Sequence, residues 1–364
     1  MNNKKNKRIK ILYITPSLAS GGAERLTLDL IYGLNKDLFS PSLLLFAGKG
    51  FFYDEAVKNG VRVKSFNKKY RLDILNFYKI YRYIKKEKPA IVHTQMGADI
   101  YGRLAARLAG VKTIVSTEHN VLRNYNSLTA FLKKKTASWS DRIICVSGAI
   151  KRDMVRRYDN KNSSLQLIYN GINIEKFDGI KRKKFDGEEL VFGSLGRLTE
   201  QKNYSLLIRA LSKIKGSNFK FLIAGEGELR GSLQKEIDSL GINSRIELVG
   251  VKKDVRSFLA SLDFFILPSK WEGLGIVLLE AGLARLPVLA SNTGGISEIV
   301  SNGKSGILFK NESVSDLTEK INYFLNPNNR EKLDFLGENL YNRVVSDFDI
   351  KKMIKKYEEV YLSL

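Results

Sequence analysis

The sequence predicts an α/β chain built from two tandem doubly wound domains, and three observations lead there. Short apolar runs alternate with amphipathic stretches through the first half, the alternation stops in a polar segment from Asp178 to Glu189, and then it restarts. Strands separated by helices close into a parallel sheet with helices on both faces. At 364 residues and 43% hydrophobic, the chain is long enough for two cores of ordinary size.

Taken in order, strands are expected at Ile9–Thr15, Ser42–Phe46, Val61–Phe66, Ala90–Thr94, Thr113–Thr117, Arg142–Val146 and Leu165–Ile168. Helical spacing fills most gaps, with Leu26, Leu30 and Leu34 in one and Ile74, Phe77, Tyr81 and Ile84 in another. Lys181-Arg182-Lys183-Lys184 marks the polar segment as a linker between domains at 1–177 and 188–349. Beyond it, strands are expected at Leu190–Leu195, Phe219–Ala224, Arg245–Val249, Phe264–Leu267, Pro287–Ala290 and Gly306–Phe309. There is no short-period repeat and no low-complexity tract.

The single cysteine, Cys145, lies in an apolar run and reads as a buried strand residue, which excludes a disulfide framework and a cysteine zinc cluster. The basic start is followed only by Ile11-Leu12-Tyr13-Ile14, too short for a signal-peptide core. No stretch approaches the ~20 apolar residues of a membrane span, so the chain is expected to be cytoplasmic. Net charge is +23, and residues 1–180 hold 33 Lys+Arg against 14 Asp+Glu, whereas residues 181–364 hold 28 against 24. An excess confined to one half points to an anionic partner there: nucleic acid, a membrane surface or a phosphate-bearing acceptor.

Open parallel sheets bind ligands beyond the carboxyl ends of their strands. After the first strand, Ser20-Gly21-Gly22-Ala23-Glu24-Arg25 opens a helix, either as a tight turn or as a phosphate contact. In the second half, Gly196-Arg197 and Lys202 place two cations between a strand and a helix; arginine grips phosphate bidentately and lysine adds a point charge. Ala224-Gly225-Glu226-Gly227 lacks the third glycine of a dinucleotide turn, and Gly250-Val251 offers backbone to a flat base. The fullest signal is Trp271-Glu272-Gly273-Leu274-Gly275-Ile276-Val277-Leu278-Leu279-Glu280, two carboxylates around a glycine turn at a helix mouth. The helix end suits an anion, whereas carboxylates repel phosphate and suit hydroxyls. A nucleotide sugar carries both groups. His93 and His119 sit at strand ends, His119 among polar neighbours that fix a tautomer, and each admits a structural reading. No H-E-x-x-H and no G-x-x-x-x-G-K-[ST] occurs, so metal ligation and P-loop hydrolysis have no support.

Gly196-Arg197 with Lys202, Ala224-Gly225-Glu226-Gly227, Gly250 with Asp254-Val255, and Glu272-x7-Glu280 together resemble retaining glycosyltransferases of family 4, with the GT-B fold. Gly21-Gly22-Ala23-Glu24, His93, His119 and Tyr169-Asn170-Gly171-Ile172 follow in the expected order, and the likeness covers nearly the whole chain. The resemblance implies two Rossmann-like domains facing a cleft, the first for acceptor and the second for the nucleotide sugar. A last helix, residues 350–364, would cross back onto the first domain. It implies that Glu280 holds ribose hydroxyls, Glu272 holds hydroxyls of the transferred sugar, and backbone N–H groups from Gly273 through Leu274 and Gly275 to Ile276 face the diphosphate. Arg197 and Lys202 neutralise that group, while Gly225 and Val251 line the nucleotide's path, Val251 receiving the base. Gly21, Gly22, Glu24 and Asn170 fall in the family's substrate-binding loops, and His119 contacts the sugar. The implied chemistry needs no metal or other cofactor: cations and helix end stabilise the departing diphosphate, and the acceptor hydroxyl attacks from the front face.

Two basic stretches, Tyr78–Lys86 and Ser127–Trp139, interleave apolar residues with lysines; each reads either as a core helix with a solvated edge or as a helix lying on an anionic membrane. With the first half's charge this favours attachment to the inner membrane face; the resemblance implies a lipid-linked or growing surface saccharide as acceptor, and uridine is the preferred base. A nucleic-acid-binding protein leaves Arg197, Glu272 and Glu280 unexplained. A GT-B epimerase needs no acceptor, and a pyridoxal phosphorylase needs a cofactor lysine that is not identifiable.

Overall fold

A computed structural model describes residues 8–68, 70, 73–120, 127–158, 164–180, 182 and 189–364. The first seven residues and most of the expected linker lie outside the described residues. The chain divides into two units, Met1–Gly171 with Ile350–Leu364, and Ile172–Asp349. The division falls before the turn Ile174–Phe177 rather than after it. Ile172 donates its N–H to the Phe348 carbonyl at 2.8 Å and bridges Asp349, which binds this turn to the second unit.

The first unit contains β1 (Ile9–Thr15), α1 (Gly22–Gly33), β2 (Phe39–Leu45), α2 (Tyr53–Lys58), β3 (Arg62–Ser65), α3 (Ile74–Glu87), β4 (Ile91–Gln95), α4 (Asp99–Leu108), β5 (Thr113–Glu118), α5 (Ser127–Ala137), β6 (Arg142–Cys145), α6 (Gly148–Tyr158) and β7 (Leu165–Leu167). Its seven strands are parallel in the order β3-β2-β1-β4-β5-β6-β7. Ile11, Leu12, Tyr13 and Ile14 in β1, an interior strand, are fully buried. Such burial is worth about 1.5–3 kcal/mol for each aliphatic side chain, which is why an unbroken apolar run becomes a central strand. Helix α3 starts where the Asp73 carboxylate accepts from the Asn76 N–H and ends at Lys88, in a left-handed conformation.

The second unit contains β8 (Leu190–Leu195), α7 (Tyr204–Leu211), β9 (Phe219–Ala224), α8 (Arg230–Ser239), β10 (Ile246–Gly250), α9 (Val255–Ala260), β11 (Phe264–Leu267), α10 (Ile276–Leu283), β12 (Val288–Ser291), α11 (Ile296–Ile299), β13 (Ile307–Phe309), α12 (Val314–Leu325) and α13 (Arg330–Asp347). Its six parallel strands run β10-β9-β8-β11-β12-β13. Phe192, Phe219, Phe221, Phe264 and Phe324 stack through the core beneath α7 and α12, the Phe192 and Phe264 rings 4.1 Å apart.

The last helix, α14 (Ile350–Leu362), belongs to the first unit. Its Tyr361 hydroxyl lies 2.8 Å from the Tyr13 hydroxyl and 2.6 Å from His93 Nδ1, while His93 Nε2 meets Thr117 Oγ1 at 2.8 Å. Burial pulls His93 down to about 3, so the ring is neutral. His93 is thus a buried tie between sheet and helix, and its structural reading prevails.

Candidate functional site

In the second unit, successive strands run outward from β8 in one direction and then restart at β11 on its other side. The switch point lies between these strands, where the sheet presents two adjacent loops without a crossover to cover them. Arg197 and Lys202 occupy the loop after β8; Glu272 through Gly275 occupy the loop after β11. The loops are tied together by the Lys270 N–H, which donates to the Gln201 carbonyl at 2.8 Å.

Glu272 is buried, and Lys202 Nζ pairs with its Oε1. Ser269 Oγ donates to the same oxygen at 2.9 Å, and the Ser269 carbonyl in turn accepts from Ser291 Oγ at 2.6 Å. Gln201 Nε2 donates to the Trp271 carbonyl at 3.1 Å and reaches Glu272 Oε2 at 3.5 Å. The sequence reading assigned Lys202 to the phosphates and Glu272 to the sugar; the structure joins the two side chains. Arg197 is exposed, and its side chain makes no hydrogen bond or ion pair among the described residues.

Gly275, at φ +91°, opens α10 with no side-chain cap, and the first helical bond runs from the Leu278 N–H to the Gly275 carbonyl. The N–H groups of Ile276 and Val277 meet no acceptor among the described residues, so this end suits an anion. Gly273 and Leu274 are buried within the turn. One helical turn further in stands Glu280, half-buried and likewise unpaired among the described residues. Burial pushes its carboxyl up to about 7, against the opposing pull of Lys202.

The loops after β9 and β10 complete this edge. A Cβ on Gly225 would lie 2.0 Å from the Gly196 carbonyl oxygen, and its φ of +144° favours glycine independently. The Gly225 N–H donates to the Gly250 carbonyl at 2.8 Å, so three loops lie side by side. Val251 next to them is exposed, and Asp254 caps α9 through the N–H groups of Arg256 and Ser257. The loop after β12 escaped the sequence reading: Gly294, at φ +55°, packs so tightly on Glu272 that an added Cβ would lie 1.9 Å from its carbonyl oxygen. The glycine pair Gly294-Gly295 following an expected strand was the available signal.

In the first unit the switch point lies between β1 and β4. Gly21 caps α1 without a side chain, Gly22 is exposed, and the Glu24 carboxylate folds back on Gly21, 2.2 Å from where a Cβ would stand. His119 follows β5, with Nε2 3.2 Å from Gln95 Oε1, which also accepts from Thr27 Oγ1 at 2.6 Å. Burial pulls His119 down to about 4 and keeps it neutral at pH 7. Asn170 is buried near the end of the unit's first segment.

Beside His119 lies a buried ionic cluster. Lys133 Nζ is 2.6 Å from Glu118 Oε2 and 3.1 Å from Asp99 Oδ2; Arg103 Nη2 is 3.5 Å from Glu118 Oε1. Arg103 is fully buried, with Nε donating to Ser116 Oγ at 2.8 Å. Lys133 is therefore no part of a solvated lysine edge, and α5 ends at Ala137, before Trp139. The rest of α5 still exposes Leu128, Phe131 and Leu132 with Lys134 and Lys135. Helix α3 exposes Ile74, Leu75 and Tyr78 with Lys79, Arg82, Lys85 and Lys86.

Among the described residues, no helix is long and apolar enough to cross a membrane, and no three His, Cys, Asp or Glu cluster as metal ligands. A family model described as Glycosyltransferase Family 4 matches residues 20–176, and one described as Glycosyl transferases group 1 matches residues 176–343. The Escherichia coli UDP-Gal:alpha-D-GlcNAc-diphosphoundecaprenol alpha-1,3-galactosyltransferase is 30% identical over 317 residues, covering 80% of each chain. The Staphylococcus aureus capsular polysaccharide biosynthesis glycosyltransferase CapM is 26% identical, covering 79% of this chain and 80% of that one. Among solved structures, Anabaena HepE in complex with UDP and glucose is similar with a TM-score of 0.87 at 21% identity, over 98% of this chain and 100% of that one.

Proposed function

The chain belongs to the family 4 glycosyltransferases, with the GT-B fold, and from that premise we propose that it moves a sugar from a UDP-sugar to a hydroxyl of a lipid-linked saccharide. The setting is the assembly of a bacterial surface polysaccharide, and the anomeric configuration is retained. The supporting observation is the pair of groups left unengaged at the switch point. Arg197 is an exposed cation and Glu280 an inward carboxyl, both without partners among the described residues, flanking a helix end with free N–H groups.

In this reading the diphosphate sits on the first turn of α10 and is gripped by Arg197, which together stabilise the charge that builds as the glycosidic bond to phosphate breaks. Glu280 accepts from the ribose hydroxyls and Glu272 from the transferred sugar. The acceptor hydroxyl attacks from the side the phosphate leaves, and its proton passes to the departing phosphate oxygen. No cofactor enters, so transfer is insensitive to chelators. In the first unit His119 is neutral and offers a hydrogen bond to a sugar hydroxyl. The exposed apolar and cationic residues of α3 and α5 rest on the anionic inner face of the membrane, from the cytoplasmic side.

The test is a donor-hydrolysis screen across nucleotide sugars, followed by transfer to lipid-linked acceptors. Arg197→Ala and Glu280→Ala are expected to lose most of the transfer rate. Unchanged rates in both variants would remove the site assignment.

A further inference from the structure

Glu272 does not present both of its oxygens equally. Oε1 is saturated by Lys202 and by Ser269 Oγ at 2.9 Å, and Ser269 is itself immobilised by Ser291. Oε2 has only Gln201 Nε2, at 3.5 Å, the outer limit of a hydrogen bond. The Gln201 amide is oriented unambiguously, because its nitrogen donates to the Trp271 carbonyl at 3.1 Å and a carbonyl accepts only from N–H. Its second N–H is left weakly engaged, and Gln201 is half-buried rather than enclosed.

A donor and an acceptor 3.5 Å apart are too distant to satisfy each other well. They are close enough for one hydroxyl oxygen to touch both, accepting from Gln201 and donating to Glu272. We propose that Gln201 Nε2 and Glu272 Oε2 form a matched pair that reads a single hydroxyl of the transferred sugar, making Gln201 a specificity-determining residue. The proposal rests on the reading of Glu272 as the carboxylate that meets that sugar. A hydroxyl in the right configuration engages both groups; its epimer leaves the Gln201 donor and the buried Glu272 acceptor unpaired. Sites built to hydrogen-bond a hydroxyl discriminate strongly for this reason.

The experiment measures kcat/KM for hydrolysis of UDP-glucose, its C4 epimer UDP-galactose, and UDP-N-acetylglucosamine, with Kd for UDP alone. It compares the wild type with Gln201→Met and Gln201→Glu. The preferred donor is expected to lose about tenfold in kcat/KM in Gln201→Met, and more in Gln201→Glu, which sets two carboxylates side by side. Preference among the three donors should shrink in both, while Kd for UDP stays within about twofold, since UDP lacks the sugar. Equal losses for UDP and the sugar nucleotides would make Gln201 a loop support and overturn the proposal. Unchanged preference among donors would overturn it as well. A wild type that binds UDP but hydrolyses none of the three overturns the functional reading too, a failure visible without any change at residue 201.

Discussion

Lys202 and Glu272 form an ion pair across 70 positions of sequence, joining the loops that flank the second unit's switch point. The pair cancels its own charge, and in the proposed reading it is Arg197 that meets the diphosphate. Arg197→Ala is therefore expected to weaken UDP binding by about 10- to 100-fold, the loss of a charge-assisted bidentate contact. Lys202→Met should weaken it less. Calorimetric titration of UDP into both variants checks the ranking, and a larger loss in Lys202→Met would reverse the roles.

Glu280 gives the site a pH dependence of known sign. Its carboxyl is raised to about 7 by burial, so it is largely neutral at pH 5 and largely charged at pH 8. A carboxylate holds ribose hydroxyls better than a carboxylic acid does, so uridine nucleotide affinity should rise across that interval. UDP's own phosphate titrates nearby, so the comparison is with Glu280→Gln, which should lose the part of the slope due to this residue.

The same shift bears on stability. A carboxyl whose folded pKa lies above its ordinary 4.5 favours the fold at low pH and loses that contribution as pH rises through 7. Glu280→Gln is thus expected to raise the melting temperature at pH 8 by roughly 2–4 °C relative to wild type, and to have little effect at pH 4. An equal change at both pH values would contradict this.

Lys133 holds two buried carboxylates. Removing its charge in Lys133→Met should cost about 3–5 kcal/mol, because Asp99 and Glu118 are left with Arg103 alone. Lys135→Met, exposed on the same helix, should stay within about 0.5 kcal/mol. Urea denaturation of the pair of variants checks it; similar midpoints would mean the cluster contributes no net stability.

Gly294→Ala should force the Glu272 backbone aside, since the new Cβ would stand 1.9 Å from its carbonyl oxygen. Misplacing a binding group by about an ångström costs roughly 100-fold in rate. Donor hydrolysis measured beside UDP affinity would show whether the sugar contact fails first, as expected.

The exposed faces of α3 and α5 should bind anionic liposomes in a salt-sensitive way. Leu128→Ser with Phe131→Ser is expected to reduce sedimentation with such vesicles several-fold. Binding to neutral vesicles alone would count against the electrostatic part.

Much of the fold was legible because parallel strands buried on both faces stand out as apolar runs. Ile9–Thr15, Leu190–Leu195, Phe219–Ala224 and Phe264–Leu267 match their expected bounds. Strand β2 starts earlier than expected, at Phe39, and so takes in Pro41. It is tolerated because β3 pairs only from Ser42 onward, leaving Pro41 without a neighbour on that side. At the site, motif order pointed to Arg197, Glu272 and Glu280. The partners Ser269 and Gln201 were not legible, because their meaning comes from contacts between loops, whereas Gly294 left only its glycine pair as a signal. Lys133 was misjudged for the same reason: nothing local distinguishes it from Lys134 and Lys135, and only the tertiary placement of Asp99 and Glu118 does.

The bond between Tyr13 and Tyr361 spans 348 positions, and it sets an order of events during synthesis. A ribosome releases β1 early, yet His93 and Tyr13 keep buried polar atoms unmatched until α14 emerges. The unit that begins first must wait for α14, while the second unit, contiguous from Ile172 to Asp349, is free to fold in between. Removal of α14 would consequently damage the unit whose strands β1 and β4 are made long before it.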